Sequence, residues 1–240
     1  MTRNRRRKLP YDPDVALAHL RAVDAKLGTL IDRVEATGGF TLELRHTGTP
    51  YTSLLQSILY QQLHGKAAAT IHKRVRALYG DDDPQPQALL DTPEELLRGA
   101  GVSGNKIKAF RDLAARTLDG TVPTHKEILK LSDAEIIERL TAVRGIGSWT
   151  VEMLLIFRLG RPDVMPITDY GVRKGFALAF LRLPKSRTLL ATDLPKAEVI
   201  LKRAKRWIPY RSVAAWYMWR ACDLDAASRK PAVEPIPMPE

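Results

Sequence analysis

Two features of this 240-residue chain have the residue types and spacing for chemistry. The first is RGIGSWT, Arg144 to Thr150, which separates two apolar runs of helical period. A glycine costs a helix about 1 kcal/mol relative to alanine, so a closely spaced pair interrupts the pattern. Ile136, Ile137, Leu140 and Val143 line one face before the break, and Val151, Leu154, Leu155 and Phe157 line one after it. The spacing predicts a helix–hairpin–helix. Gly145 and Gly147 have no Cβ, so the backbone can turn sharply and another group can approach it closely. Ile146 can plug inward between the helices. The second helix then offers unpaired N–H groups and partial positive charge at its start, an arrangement that suits a phosphate. A plain turn between antiparallel helices would use the same glycines. The second feature is Asp169, which follows the Gly/Pro-containing loop LGRPDVMPIT and opens another helix. Aspartate at that point is a common N-cap. A carboxylate so held can also stabilise positive charge, and orient or deprotonate water.

The charge balance favours a polyanionic partner. Net charge is +11 and the pI about 9.9. Arg3, Arg5, Arg6, Arg7 and Lys8 form a basic tail, and the rest of the chain still carries an excess near +6. Nucleic acid is the usual partner of such a surface, although a solvated arm would look the same. Cys222 is the one cysteine, which excludes an internal disulfide and a four-cysteine metal or iron–sulfur site. A reducing, cytoplasmic setting is expected. No apolar run reaches the roughly 18 residues of a membrane span, and MTRNRRRKLP has no apolar stretch behind it to make a secretory signal.

The elements that must position these residues read as helix after helix. Asp12-Pro13 starts one, with apolar residues from Val15 to Val34 at helical period, a break expected near Gly28, and an end at Gly38-Gly39. Phe40, Leu42 and Leu44 hint at a short extended segment. A helix from Leu54 runs into YQQLHGKAAAT, where Gly65 is expected to split it. Thr92/Glu95, Thr124/Glu127 and Ser132/Glu135 have capping-box spacing, with Leu131 and Ile136 spaced as a hydrophobic staple. Further helices are expected at about 103–117, 170–182, 195–206 and 210–223. The segment SRKPAVEPIPMPE reads as a disordered tail. The expected architecture is all-α, with about ten helices and short loops.

The segments RGIGSWTVEMLLIFRLGRPDVMPITDYGVRKG, LLQSILYQQLHGKAAATIHKRV, GVSGNKIKAFRDLA and RWIPYRSVAAWYMWR together resemble the helix–hairpin–helix DNA glycosylase superfamily. Within it, the chain is most similar to 3-methyladenine DNA glycosylase II, the AlkA-like kind, in a compact form without the N-terminal β domain. The resemblance implies two helical subdomains flanking a DNA-binding and active-site cleft. It divides the chain into a basic tail at 1–10, a glycosylase domain at 11–225 and a Pro-rich tail at 226–240. Residues of about 51–165 form one subdomain and the N- and C-terminal helices the other.

Further roles follow from the resemblance. Asp169 is the catalytic carboxylate, beside the oxocarbenium-like sugar formed as an N-glycosidic bond breaks; Asp163 is the rival, with a loop or capping role. Trp149 occupies the place where strand-cleaving relatives have a lysine nucleophile, so base release by water alone is expected. Core packing is the other reading of Trp149. The resemblance puts Trp149 and Trp219 at the base pocket, with Met153 where some relatives have tyrosine; Tyr60 is a further pocket candidate, with core packing as its other reading. An electron-rich pocket suits a cationic N-alkylated purine of the 3-methyladenine or 7-methylguanine type. Trp207, Tyr210 and Trp216 are as well explained by the core. Extrusion of the nucleotide needs a wedge, assigned to Gln62 with Gln61 and Leu63 as neighbours; capping of a helix end is the alternative. Gly145, Ile146 and Gly147 hold a phosphate, with Arg144, Lys106, Lys108, Arg173 and Lys174 as further DNA contacts. His64 stands where many relatives have serine. No cofactor is implied, nor a metal bound by side chains; a monovalent cation on hairpin carbonyls is. The implied partner is double-stranded DNA with alkylated bases, met by a monomer at the nucleoid. A non-enzymatic DNA-binding module would not need Asp169. An oxidised-guanine or mismatch glycosylase would commonly carry the hairpin lysine or an iron–sulfur set.

Overall fold

A computed structural model describes residues 8–44, 48–181 and 190–229. The described residues form thirteen α-helices and no strand. These are α1 (Pro13–Val23), α2 (Ala25–Glu35), α3 (Pro50–Tyr60), α4 (Gly65–Ala77), α5 (Pro86–Asp91), α6 (Glu94–Gly99), α7 (Gly104–Leu118), α8 (His125–Ile128), α9 (Asp133–Thr141), α10 (Ser148–Leu154), α11 (Tyr170–Phe180), α12 (Ala197–Ala204) and α13 (Arg211–Arg229). A π-helical turn, Leu155–Leu159, continues α10. The segment from Phe40 to Leu44 buries Leu42 and Leu44 without building a strand. Most of the basic tail (1–7) and of the Pro-rich tail (230–240) lies outside the described residues, whereas 226–229 are helical and extend α13.

Local chemistry explains several helix starts. The Asp12 carboxylate accepts from the Asp14 N–H at 2.9 Å, with Pro13 in the first turn of α1. The boxes at Thr124 and Ser132 close reciprocally on Glu127 and Glu135. The Thr92 box does not form. Its hydroxyl donates to Ala88 O at 2.7 Å, and Tyr79 OH lies 2.7 Å away, so Pro93 takes the cap position of α6. The break in the first helical run also falls elsewhere than expected. Asp24 ends α1 through its N–H to Leu20 O and starts α2 by accepting from Leu27 N. Gly28 lies inside α2, where an added Cβ would meet Arg21 at ordinary contact distance.

Two compact units result, one spanning 44–159 and the other 8–43 with 160–229 among the described residues. In the first, α7 packs on both α3 and α5, and Leu54, Ile58, Leu59, Phe110 and Leu113 are buried. Each such side chain contributes about 1.5–3 kcal/mol on burial. In the second, α11 lies along α13, with α1 and α2 packed beside α13.

In the second unit a buried carboxylate is paired with a guanidinium. Asp24, 3% exposed, accepts from Arg203 at 2.5 and 2.8 Å and from Trp207 Nε1 at 3.0 Å. Burial alone would raise its pKa, but the Arg203 and Trp207 hydrogen bonds outweigh burial and hold the carboxyl below its ordinary 3.8. A depressed folded pKa adds stability that is present above the unfolded value and lost as the pH falls through the folded one. Asp24→Ala should therefore cost about 3 kcal/mol at pH 7, because it strands the guanidinium and the indole N–H. Urea melts should show that cost shrinking below about pH 3.8; a cost independent of pH would contradict the pairing.

Candidate active site

Asp169 is the N-cap of α11. One oxygen of its carboxylate, Oδ1, accepts from Val172 N at 2.7 Å and from the Trp219 indole Nε1 at 2.8 Å. The cap and the candidate catalytic carboxylate are thus one group. The two donors fix its rotation, and the α11 N-terminus favours its negative charge. Trp219, assigned to the base pocket from the sequence, donates its indole N–H to this carboxylate. Gly171 makes room for that bond, since a Cβ there would stand 2.6 Å from Trp219 Cδ1 and 3.2 Å from Asp169 Oδ1. One turn along α13, the Cys222 thiol donates to Gly171 O at 3.4 Å, and burial pushes its pKa up to about 11. It is a protonated donor at neutral pH, not a nucleophile.

The loop that delivers Asp169 is stitched to the start of α13. Asp163 accepts from Arg211 Nε and Nη2 at 2.7 and 2.8 Å and from the Arg211 backbone N–H at 3.3 Å. Buried Ser212 donates to Arg161 O at 2.6 Å and accepts from Val164 N at 2.9 Å. Asp163 therefore shapes the loop, as its position in the sequence implies. Arg211 and Ser212 escaped sequence reasoning; the only available signal was their place at the opening of the α13 run. Arg173 donates to Pro195 O at 3.2 Å and Lys174 pairs with Asp225 at 3.7 Å, so both cations assigned to phosphate have partners within the unit.

The hairpin joins α9 to α10 in the other unit. Gly145 has φ +79°, a left-handed backbone that favours glycine. Ile146 plugs inward and is 5% exposed. Gly147 caps α10 without any side-chain cap. A Cβ at Gly147 would meet nothing within 4 Å, so the chain's own packing does not demand this glycine, and its backbone is open to an outside group. Trp149 lies in the first turn of α10 and is 47% exposed, which removes the core-packing reading. Met153 stands four residues on and half-buried, on the same helix face.

The QQL turn lies between α3 and α4. Gln62 is exposed at φ +56°, a conformation that costs a non-glycine residue of order 1–3 kcal/mol. Leu63 is 38% exposed, and His64 is an exposed N-cap of α4 without a side-chain capping bond. Gln61 is the residue after α3 and donates its amide Nε2 to Gly145 O at 2.8 Å, which ties the turn to the hairpin. Tyr60 packs edge-on to His72 of α4, 6.1 Å between ring centres. Trp207 and Trp216 are core residues at 0% and 5% exposure.

Lys106 corrects the sequence reading. Its ammonium donates to Leu59 O at 2.6 Å and Gln61 O at 2.8 Å, at the C-terminal end of α3. Helix-end carbonyls attract a cation, and this one places two of its three N–H donors on the end of α3. Burial lowers its pKa. Lys108 is exposed, and Arg144 is exposed with its backbone N–H on Asp112 Oδ2 at 2.7 Å. Nothing in the sequence marked Asp112. Among the described residues, no group of three or more His, Cys, Asp or Glu is placed to hold a metal. No helix among them is long and apolar enough to cross a membrane.

Known proteins resemble this chain in sequence and in fold. A family described as the HhH-GPD superfamily of base excision DNA repair proteins matches residues 55–197. DNA-3-methyladenine glycosylase 1 of Schizosaccharomyces pombe is 40% identical over 176 residues, 73% of each chain. The solved structure of a 3-methyladenine DNA glycosylase from the same yeast, in complex with abasic DNA, aligns with a TM-score of 0.69 at 36% identity, over 86% of this chain and 95% of that one. A DNA-3-methyladenine glycosidase from Bacillus halodurans aligns at 0.75 and 31% identity, over 92% and 94%.

Proposed function

Because the chain belongs to the HhH-GPD superfamily of base excision DNA repair proteins, we propose that it is a DNA-3-methyladenine glycosylase. It extrudes N-alkylated purines from duplex DNA and hydrolyses the N-glycosidic bond, leaving an abasic site. The observation that carries this reading is Asp169, a carboxylate oriented by the α11 cap and the Trp219 indole. A DNA-binding module alone has no use for such a group.

The chemistry needs little more. Methylation at N3 or N7 of a purine nucleotide makes the base a cation, so it departs neutral when the bond electrons follow it, without a dedicated acid. The sugar left behind carries positive charge, which the Asp169 carboxylate stabilises. Water then forms the new bond at the sugar carbon, and its proton passes to the carboxylate or to solvent. The exposed face of Trp149, with Met153 one turn on, offers an aromatic surface to a cationic base. Gln62 and Leu63 enter the duplex as the nucleotide leaves it. Gly145, Ile146 and Gly147 receive a phosphate at the start of α10. The protein works as a monomer on DNA at the nucleoid.

Trp149 also carries the finer part of the reading, since an indole has no amine to form a Schiff base with the opened sugar. Methylated duplex incubated with the protein should release free 3-methyladenine and 7-methylguanine on chromatography. Borohydride should trap no protein–DNA adduct, and the strand should stay intact until alkali is added. Absence of both free bases would sink the proposal; a trapped adduct would overturn the monofunctional part alone.

A further inference from the structure

The motif GVSGNKIKAFRDLA is not absorbed by the chemistry above, yet α7, which it forms, touches both loops assigned to DNA. Lys106, Ala109 and Asp112 recur every third residue and share one helix face. The Lys106 ammonium holds the carbonyls of Leu59 and Gln61. Ala109 lies under the hairpin, its Cβ 3.5 Å from where a Cβ on Gly145 would be. Asp112 Oδ2 accepts the Arg144 backbone N–H at 2.7 Å and is paired with Arg116 at 3.0 Å. Gln61 closes the circuit through its bond to Gly145 O. Every link from α7 to the turn, from the turn to the hairpin, and from the hairpin back to α7 is a hydrogen bond or a contact.

A half-open pocket of about 180 Å³ adjoins the turn, lined by Leu59, Gln61, Gln62, Leu63, Ser103 and Lys106 among others. Charged hydrogen bonds from Lys106 to the Leu59 and Gln61 carbonyls hold the turn at its edge. Such bonds are directional and short, so they set the height of Gln62 more tightly than apolar contacts alone would.

We infer that α7 is a brace that keeps the Gln62 turn and the phosphate-binding hairpin in one register, and that Lys106 and Asp112 are positioning residues for nucleotide extrusion. The inference rests on the proposed glycosylase reading for its link to extrusion; the brace itself does not. A wedge only displaces a nucleotide if it enters at the step where the backbone is gripped, so a change in their spacing should penalise extrusion and leave hydrolysis of an already extruded base intact.

The test uses the full chain with Lys106→Met and Asp112→Leu. Single-turnover release of 7-methylguanine is measured from a paired duplex, and from a duplex with the lesion opposite an abasic analogue, where extrusion is easier. Release from the paired duplex should fall about tenfold or more, and release from the unpaired one less than threefold. Lys106→Arg, which keeps the donors, should recover most of the paired rate. Equal losses on both duplexes, or none on either, overturn the inference. So does a drop of about one in the slope of log affinity against log salt for Lys106→Met, because that would return the lysine to a phosphate. Hydrogen exchange of the free protein reports on the brace without any chemistry. Lys106→Met should speed exchange at 144–147 as well as at 61–63, and acceleration confined to 61–63 overturns the brace. If the unaltered chain releases no base from either duplex, the glycosylase reading fails and the extrusion role with it, while the exchange result still decides the brace.

Discussion

Asp169→Asn should lower single-turnover base release at least a hundredfold while leaving the fold and DNA affinity nearly unchanged. The two effects separate because the residue has two roles. As an N-cap it needs only an acceptor for Val172 N and for the Trp219 indole. An asparagine carbonyl supplies one, and asparagine caps helices about as well as aspartate. The negative charge has no such substitute. It faces the positive sugar only as the bond breaks, so its loss raises the barrier without weakening ground-state binding. Loss of one preorganised electrostatic group typically removes 10²–10³ in rate, about 2.7–4 kcal/mol. Affinity for a duplex holding an abasic analogue should change less than threefold. A variant retaining more than a tenth of the rate would reduce Asp169 to a cap and leave the chemistry to another group.

Gly175→Ala should produce the largest loss of stability from a single added methyl. A Cβ at Gly175 would stand 1.9 Å from Met218 O, 2.5 Å from its carbonyl carbon and 2.7 Å from its Cα. These are backbone atoms of α13, so no rotamer change relieves the overlap, and α11 and α13 must separate. Overpacking of side chains costs 1–3 kcal/mol, and a backbone clash should reach about 3 kcal/mol or more. For a chain of this size that lowers the melting temperature by roughly 6–12 °C. The residue after Met218 is Trp219, whose indole orients Asp169, and Gly171 lies one turn before Gly175 on α11. Base release by the fraction still folded should therefore also fall. Gly147→Ala is the control: it adds the same methyl into open space at φ −98° and should lower the melting temperature by no more than about 3 °C, the cost of alanine at an N-cap. Similar thermal shifts for the two would contradict the close helix crossing.

The sequence alone determined what depends on nearest neighbours along the chain. The starts of α1, α9 and α11 were legible because a cap and its N–H lie within three residues of each other, at Asp12, Ser132 and Asp169. The hairpin was legible because two glycines interrupt two apolar stripes. The family was legible from four ordered segments that no local rule would have joined. Tertiary structure decided where polar groups find partners. The hydroxyl of Thr92 had the spacing for a box with Glu95 but bonds Ala88 and pairs with Tyr79. The first helical run breaks at Asp24, whose carboxylate is held by Arg203 and Trp207, 179 and 183 residues away. Lys106 reads as a phosphate contact in the sequence, but its ammonium donates to carbonyls 45 and 47 residues earlier. Trp219 has an aromatic face that suits a base, but its N–H reaches a carboxylate 50 residues back. Apolar period survives in a sequence because burial is non-directional and needs only the right face. A hydrogen bond needs two particular atoms near 3 Å, and only the folded chain brings them together.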